Sequence, residues 1–134
     1  MSQSSVMPNI WQSGRETHLL DDIIGGRKTI EGRLNRDKFA EYQVGDAVSL
    51  RRDVRDEHGQ LKDGEVGAAE VEIVAIRRYE NFLDMVSTEG YERVIPSAGS
   101  IEAAAAEYNR YYSPEDQKQY GVLAIEVKLI SSNL

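Results

Sequence analysis

Residues 23–34 read Ile23-Ile24-Gly25-Gly26-Arg27-Lys28-Thr29-Ile30-Glu31-Gly32-Arg33-Leu34, with glycines and charges packed into one short segment. Just upstream, Leu19, Leu20, Ile23 and Ile24 recur at helical spacing, so the segment opens at a helix end. Ser13 and Glu16 have capping-box spacing, which predicts that the helix begins at Ser13. Gly25 and Gly26 stop it, because glycine adopts the left-handed C-terminal conformation without a Cβ clash. From Lys28 to Leu34 the period changes to two. Ile30, Gly32 and Leu34 share one strand face, and Thr29, Glu31 and Arg33 share the other. This helix-to-strand order excludes a phosphate loop, which runs strand to helix and needs glycine directly before its lysine. Here Arg27 intervenes.

Working outward, Val44-Gly45-Asp46 predicts a turn feeding a short strand over Ala47–Arg52. Asp53 to Gly64 reads as an exposed hairpin loop. Val66 to Ile76 predicts a longer strand, with Val71 and Ile73 facing one way and Val74 and Ile76 the other. Tyr79 to Val86 predicts a short helix with Phe82, Leu83 and Val86 inward. Ser100 caps a second over Ile101–Tyr112, whose alanine run favours helix. Ser113-Pro114 begins another turn, serine as cap and proline at the first helical position. Gly121 to Ile130 alternates as a half-buried final strand. Five or six strands with short helices, in no regular β-α alternation, predict an α+β fold built on a small barrel with flanking helices.

The chain of 134 residues fits a single domain over residues 9–134, after a disordered tail at residues 1–8. No apolar run reaches the roughly 20 residues of a membrane span. No secretory signal opens the chain and no cysteine is present, so a cytoplasmic location and no membrane partner are expected. His18 and His58 are the only histidines and have no paired-ligand spacing, so no metal is expected, nor any other cofactor. No serine lies in a Gly-x-Ser-x-Gly elbow, which argues against a Ser-His-Asp hydrolase. A net charge of −7 disfavours a broad duplex-binding surface. The cations are nevertheless clustered: Arg27, Lys28, Arg33, Arg36 and Lys38, then Arg51, Arg52 and Arg55, then Arg77-Arg78. They are either scattered solvated charges or, brought together, a small positive patch on an acidic protein.

Two groups of residues carry candidate chemistry. On the strand face Thr29-Glu31-Arg33, the carboxylate and guanidinium can lock each other and leave Lys28 for an anion. A lysine held near other cations can also have its pKa lowered enough to act as a base. The structural alternative is an exposed strand edge with an ordinary ion pair. The second group is Tyr108, Tyr111 and Tyr112 beside Arg110, with Ser113 following. Tyr108 and Tyr112 share a helix face and can stack a nucleobase, or can simply cover the barrel.

These residues resemble the ASCH (activating-signal-cointegrator homology) family. Gly26-x-Lys28-Thr29-x-Glu31-Gly32-Arg33 is similar to its G-x-K-T-x-E-x-R motif, and Val44-Gly45-Asp46 to its v-G-D turn. Tyr111-Tyr112-Ser113-Pro114-Glu115-Asp116 and Tyr120-Gly121-Val122-Leu123-Ala124-Ile125 resemble the ending of bacterial members. The likeness runs from about Trp11 to Ile130, in order. It implies a PUA-like fold with a cleft beside the lysine motif, and RNA or nucleotide binding. Short single-stranded RNA or a modified nucleoside is the implied partner. Arg27, Thr29, Arg33, Tyr108, Tyr112 and Ser113 are then ligand-binding candidates, and Lys28 and Glu31 catalytic ones. Two branches of the family resemble metal-independent hydrolases. One removes acyl groups from N4-acylated cytidine with a lysine, a threonine three positions on and a downstream glutamate. Lys28 matches, but Glu31 stands where the threonine is expected. The other, a ribonuclease type, uses a lysine, a tyrosine and a serine, for which Lys28, Tyr112 or Tyr108, and Ser113 are candidates.

Overall fold

The structure, a computed structural model, describes residues 8–132, so most of the expected tail lies outside the described residues. The element order is β1 (Ile10–Glu16), α1 (Thr17–Ile24), β2 (Ile30–Leu34), β3 (Ala47–Arg55), β4 (Leu61–Lys62), β5 (Ala69–Tyr79), α2 (Phe82–Glu89), α3 (Tyr91–Val94), α4 (Ile101–Asn109), α5 (Pro114–Tyr120) and β6 (Val122–Ser132). Five strands form a path β1-β3-β5-β6-β2, with β4 attached to β3. β1 runs parallel to β3, and the other pairs are antiparallel. This is the expected α+β, barrel-like architecture, left open between β1 and β2.

Two apolar clusters flank the sheet. Inside the barrel lie Leu20, Ile23, Val48, Leu50, Val71, Ile73, Ile125 and Val127. Outside it, Ile30, Leu34, Val122 and Ala124 pack under Phe82, Met85, Val86, Val94, Ala104 and Tyr108. Each Val, Leu, Ile, Phe or Met side chain among them, taken fully out of water, contributes about 1.5–3 kcal/mol. The first half of β6 feeds both clusters, so this strand is covered on both faces there rather than half-buried.

Several boundaries differ from expectation for identifiable reasons. Ser13 and Glu16 do not cap a helix: both lie in β1, and α1 starts at Thr17 with no side-chain cap. Pairing with β3 overrides the local cap signal, and the charge of inward-facing Arg15 hides the strand alternation. Tyr79 ends β5, and Asn81 caps α2 by accepting from the Asp84 N–H. Met85 packs where Leu83 was expected, and Leu83 is exposed. Register shifts in β5 between Glu70 and Val71 and between Ile73 and Ala75 turn Val74 outward. They return Ile76 to the side of Val71 and Ile73, and such bulges bend a strand around a barrel. The Asp46 turn holds the start of the barrel: its carboxylate accepts from the N–H groups of Asn9 and Gln43 and from Trp11 Nε1.

Candidate functional site

The opening stretch lies beside the unclosed seam. Gly25 and Gly26 do end α1, Gly26 with φ of 77°. The chain then enters β2, whose two faces are those expected from the period of two. The Glu31–Arg33 face, however, is not an exposed edge. Glu31 is 6% exposed because that face looks into the barrel and its mouth, and Lys28, just before the strand, is 4% exposed.

Arg15 of β1, on the opposite edge of the sheet, organises Glu31. Its Nε and Nη2 both lie 2.9 Å from Glu31 Oε2. Arg33 Nη2 stands 3.6 Å from the same oxygen. Glu31 Oε1 accepts no hydrogen bond, and Lys28 Nζ lies 3.9 Å from it. Burial works to raise the Glu31 pKa, but Arg15, Lys28 and Arg33 outweigh it and hold the carboxyl well below its ordinary range. Lys28 donates to the carbonyls of Ile30 and Val94, pinning the end of α3 to the free edge of β2. Burial lowers its pKa to about 8, against the opposing attraction of Glu31.

The aromatic wall comes from α4 and the turn after it. The Phe82 ring stacks on Tyr108 with centroids 4.4 Å apart, and Tyr112 lies 5.1 Å from it. Burial pushes the Tyr108 hydroxyl pKa well up, and Glu31 adds to the effect. The helix ends at Asn109 rather than Tyr112, so Tyr111 and Tyr112 sit in its terminal turn, Tyr111 largely exposed. Gly32 allows the close approach: a Cβ there would meet Met85 and Tyr108 atoms at 2.8 Å.

Lys28, Glu31, Arg33, Tyr108 and Tyr112 line one cleft of about 620 Å³, together with Arg15, His18, Arg55 and Tyr111. Three other candidates do not reach it. Arg27 is exposed and pairs with Asp22. The Thr29 hydroxyl is buried without a hydrogen-bond partner, outside the cleft lining. Ser113 caps α5 by accepting from the Asp116 N–H. Of the cation clusters, Arg33, Lys38 and Arg51 gather near Arg15, close enough that Arg15, Arg33 and Arg51 depress the Lys38 pKa after burial. Arg77 instead binds Glu89 and Glu126 elsewhere on the sheet. Sequence reasoning missed Arg15, whose only signal was an arginine just before a helix.

A second hollow, of about 1000 Å³, lies between the end of β5, α2 and α5 and contains none of these residues. It is larger, but its central polar groups serve the fold. Gln117 accepts from the Phe82 N–H and donates to Asn109 Oδ1 and the Tyr112 carbonyl, and Asn81 caps α2. Among the described residues, no group of three or more histidine, cysteine or acidic side chains is placed to hold a metal ion, and no helix is long and apolar enough to cross a membrane.

Comparison with known proteins adds the family. The ASCH domain model matches residues 16–131. The crystal structure of hypothetical protein PH0355 shares 33% identity, covering 90% of this chain and 99% of that one, with a TM-score of 0.74. The solution structure of protein PF0455 from Pyrococcus furiosus shares 34% identity over 91% of this chain and 98% of that one, with a TM-score of 0.70. Protein EF3133 from Enterococcus faecalis V583, at 15% identity and a TM-score of 0.53, shares the fold; the match covers 95% of this chain and 78% of that one. No curated protein matches the sequence.

Proposed function

The chain belongs to the ASCH domain family, generally associated with RNA binding, and from that premise we propose that its cleft binds short single-stranded RNA or a modified nucleoside. One observation carries the reading: Lys28, Glu31 and Arg33 from β2 and Tyr108 and Tyr112 from the α4 region line the same cleft. Its volume of about 620 Å³ lies within the range of small-ligand sites and suits one unpaired nucleotide. Lys28 and Arg33 supply donors, Glu31 supplies an acceptor, and Tyr112 supplies an aromatic surface. The net charge of −7 works against a long nucleic-acid footprint, so the positive charge at this mouth acts locally.

The test is equilibrium binding of short RNAs and nucleosides to the wild type and to Lys28→Ala, with folding checked by circular dichroism. The reading expects the variant to bind at least about tenfold more weakly, a loss of about 1.4 kcal/mol. Equal affinities would remove the cleft from the account.

The second reading is a metal-independent hydrolase of single-stranded RNA or of N4-acylated cytidine. The observation favouring it is Lys28, whose pKa of about 8 lies near that of a working general base. Against the threonine mechanism stand Glu31 at the expected nucleophile position and the Thr29 hydroxyl outside the cleft lining. Turnover that disappears in Lys28→Ala and Glu31→Gln would favour this reading. No turnover of either substrate would end it.

A further inference from the structure

We infer that the floor of the cleft receives its ligand through an uncharged N–H donor, base first, and that Arg15 is the positioning residue that keeps one oxygen of Glu31 free for it. The inference rests on the binding role proposed above and specifies the chemistry of the contact. Glu31 is more than nine-tenths buried, and its two oxygens are used unequally. Oε2 receives both Arg15 contacts at 2.9 Å, whereas Oε1 receives no hydrogen bond. The free oxygen is the one near Lys28, a residue that lines the cleft but not the barrel interior. A buried acceptor without a donor is a place where a ligand N–H gains a full hydrogen bond with little competition from water.

The neighbouring charges set the orientation. At the floor Arg15, Lys28 and Arg33 outnumber Glu31, while Glu16 and Glu107 line the same cleft and Glu16 pairs with Arg55, which leaves a small positive surplus to draw an anionic chain. At contact distance the ionised carboxylate has only acceptor capacity, so a phosphate oxygen cannot satisfy it. Two Lys28 protons are spent on the Ile30 and Val94 carbonyls, which leaves a third on Nζ, the nitrogen itself standing 3.9 Å from the free acceptor. The floor therefore offers an acceptor beside a donor. A nucleobase edge, with an N–H beside a carbonyl or ring nitrogen, complements that pair, and a phosphate group does not. The phosphodiester backbone stays at the mouth, where Arg55 is held by Glu16.

The test titrates the full chain with homopolymer RNA tetramers, with tetramers whose base N–H donors are blocked (N3-methyluridine, N6,N6-dimethyladenosine) and with an abasic ribose-phosphate tetramer. At least one unmodified uridine or adenosine tetramer is expected to bind, its donor-blocked counterpart at least tenfold more weakly, and the abasic tetramer not to compete with it. Arg15→Lys, which keeps the charge but loses the two-pronged contact, is expected to reduce that donor preference while remaining folded by circular dichroism. Full competition by the abasic tetramer, or equal affinity for donor-blocked bases, would overturn the inference and leave RNA binding standing. Failure of every base-bearing tetramer and of free nucleosides to bind would overturn the binding reading itself.

Discussion

Arg15 and Glu31 stand on the two edge strands of the sheet, which are not neighbours in its path, and meet through two contacts of 2.9 Å. The barrel is thus joined at this point by a buried ion pair where a backbone ladder is missing. Lys38, reaching the Gln12 carbonyl, ties the same seam from outside.

Breaking this pair from one side leaves a buried charge alone. Arg15→Met is expected to destabilise the fold by about 3–5 kcal/mol in chemical denaturation. Arg15→Met with Glu31→Leu is expected to cost less than the sum of the single changes. The pair also predicts an acid response. Because the folded state holds the Glu31 pKa below its ordinary value of 4.5, the stabilisation is complete above that value and is lost as pH falls beneath it. Denaturation midpoints measured from pH 7 to pH 3 should fall less steeply in Glu31→Gln than in the wild type.

Lys28 predicts a change at the other end of the scale. Its pKa is lowered from 10.5 to about 8, so the folded state carries fewer protons than the unfolded chain between those values. Its contribution to stability therefore rises with pH over that window. Ligand binding should move the opposite way. Deprotonation removes the one proton not committed to Ile30 and Val94, so affinity should fall between pH 7 and pH 9. NMR titration of the Lys28 side chain beside a binding curve checks both, and a side chain that stays charged to pH 10 contradicts them.

Gly32 predicts a packing effect that carries into the cleft. An added methyl meets the Tyr108 ring, which its stacking on Phe82 holds in place, and the Met85 tip, which can move. Gly32→Ala is expected to cost about 1–3 kcal/mol, typical of overpacking. It should also weaken ligand binding, because Tyr108 forms part of the cleft wall. Thermal unfolding and affinity measured on the same variant check the pairing.

Much of the fold was legible because its signals are local. Glycines ended α1, the period of two revealed the faces of β2, and Ser100 and Ser113 cap the helices they precede. What was illegible depends on partners distant in sequence. β1 exists because β3 is beside it, and the Val74 bulge follows from how β5 bends along β6. In the site, the lysine motif and the tyrosines were visible as residue types, and Lys28, Glu31, Arg33, Tyr108, Tyr111 and Tyr112 share a cleft. Arg15 was hidden because a buried charge on a strand mimics a polar helix start. Arg27 pairs with Asp22 and Ser113 caps α5, since neighbouring a motif in sequence does not aim a side chain at a cleft.

The most direct measurement is an NMR titration of the labelled protein with a short single-stranded RNA. Concentration-dependent shifts are expected at Lys28, Glu31, Gly32, Arg33, Tyr108 and Tyr112, with the hollow around Arg78 and Lys118 unchanged. Shifts centred on that second hollow, with the Lys28–Arg33 signals unmoved, would contradict binding in the cleft.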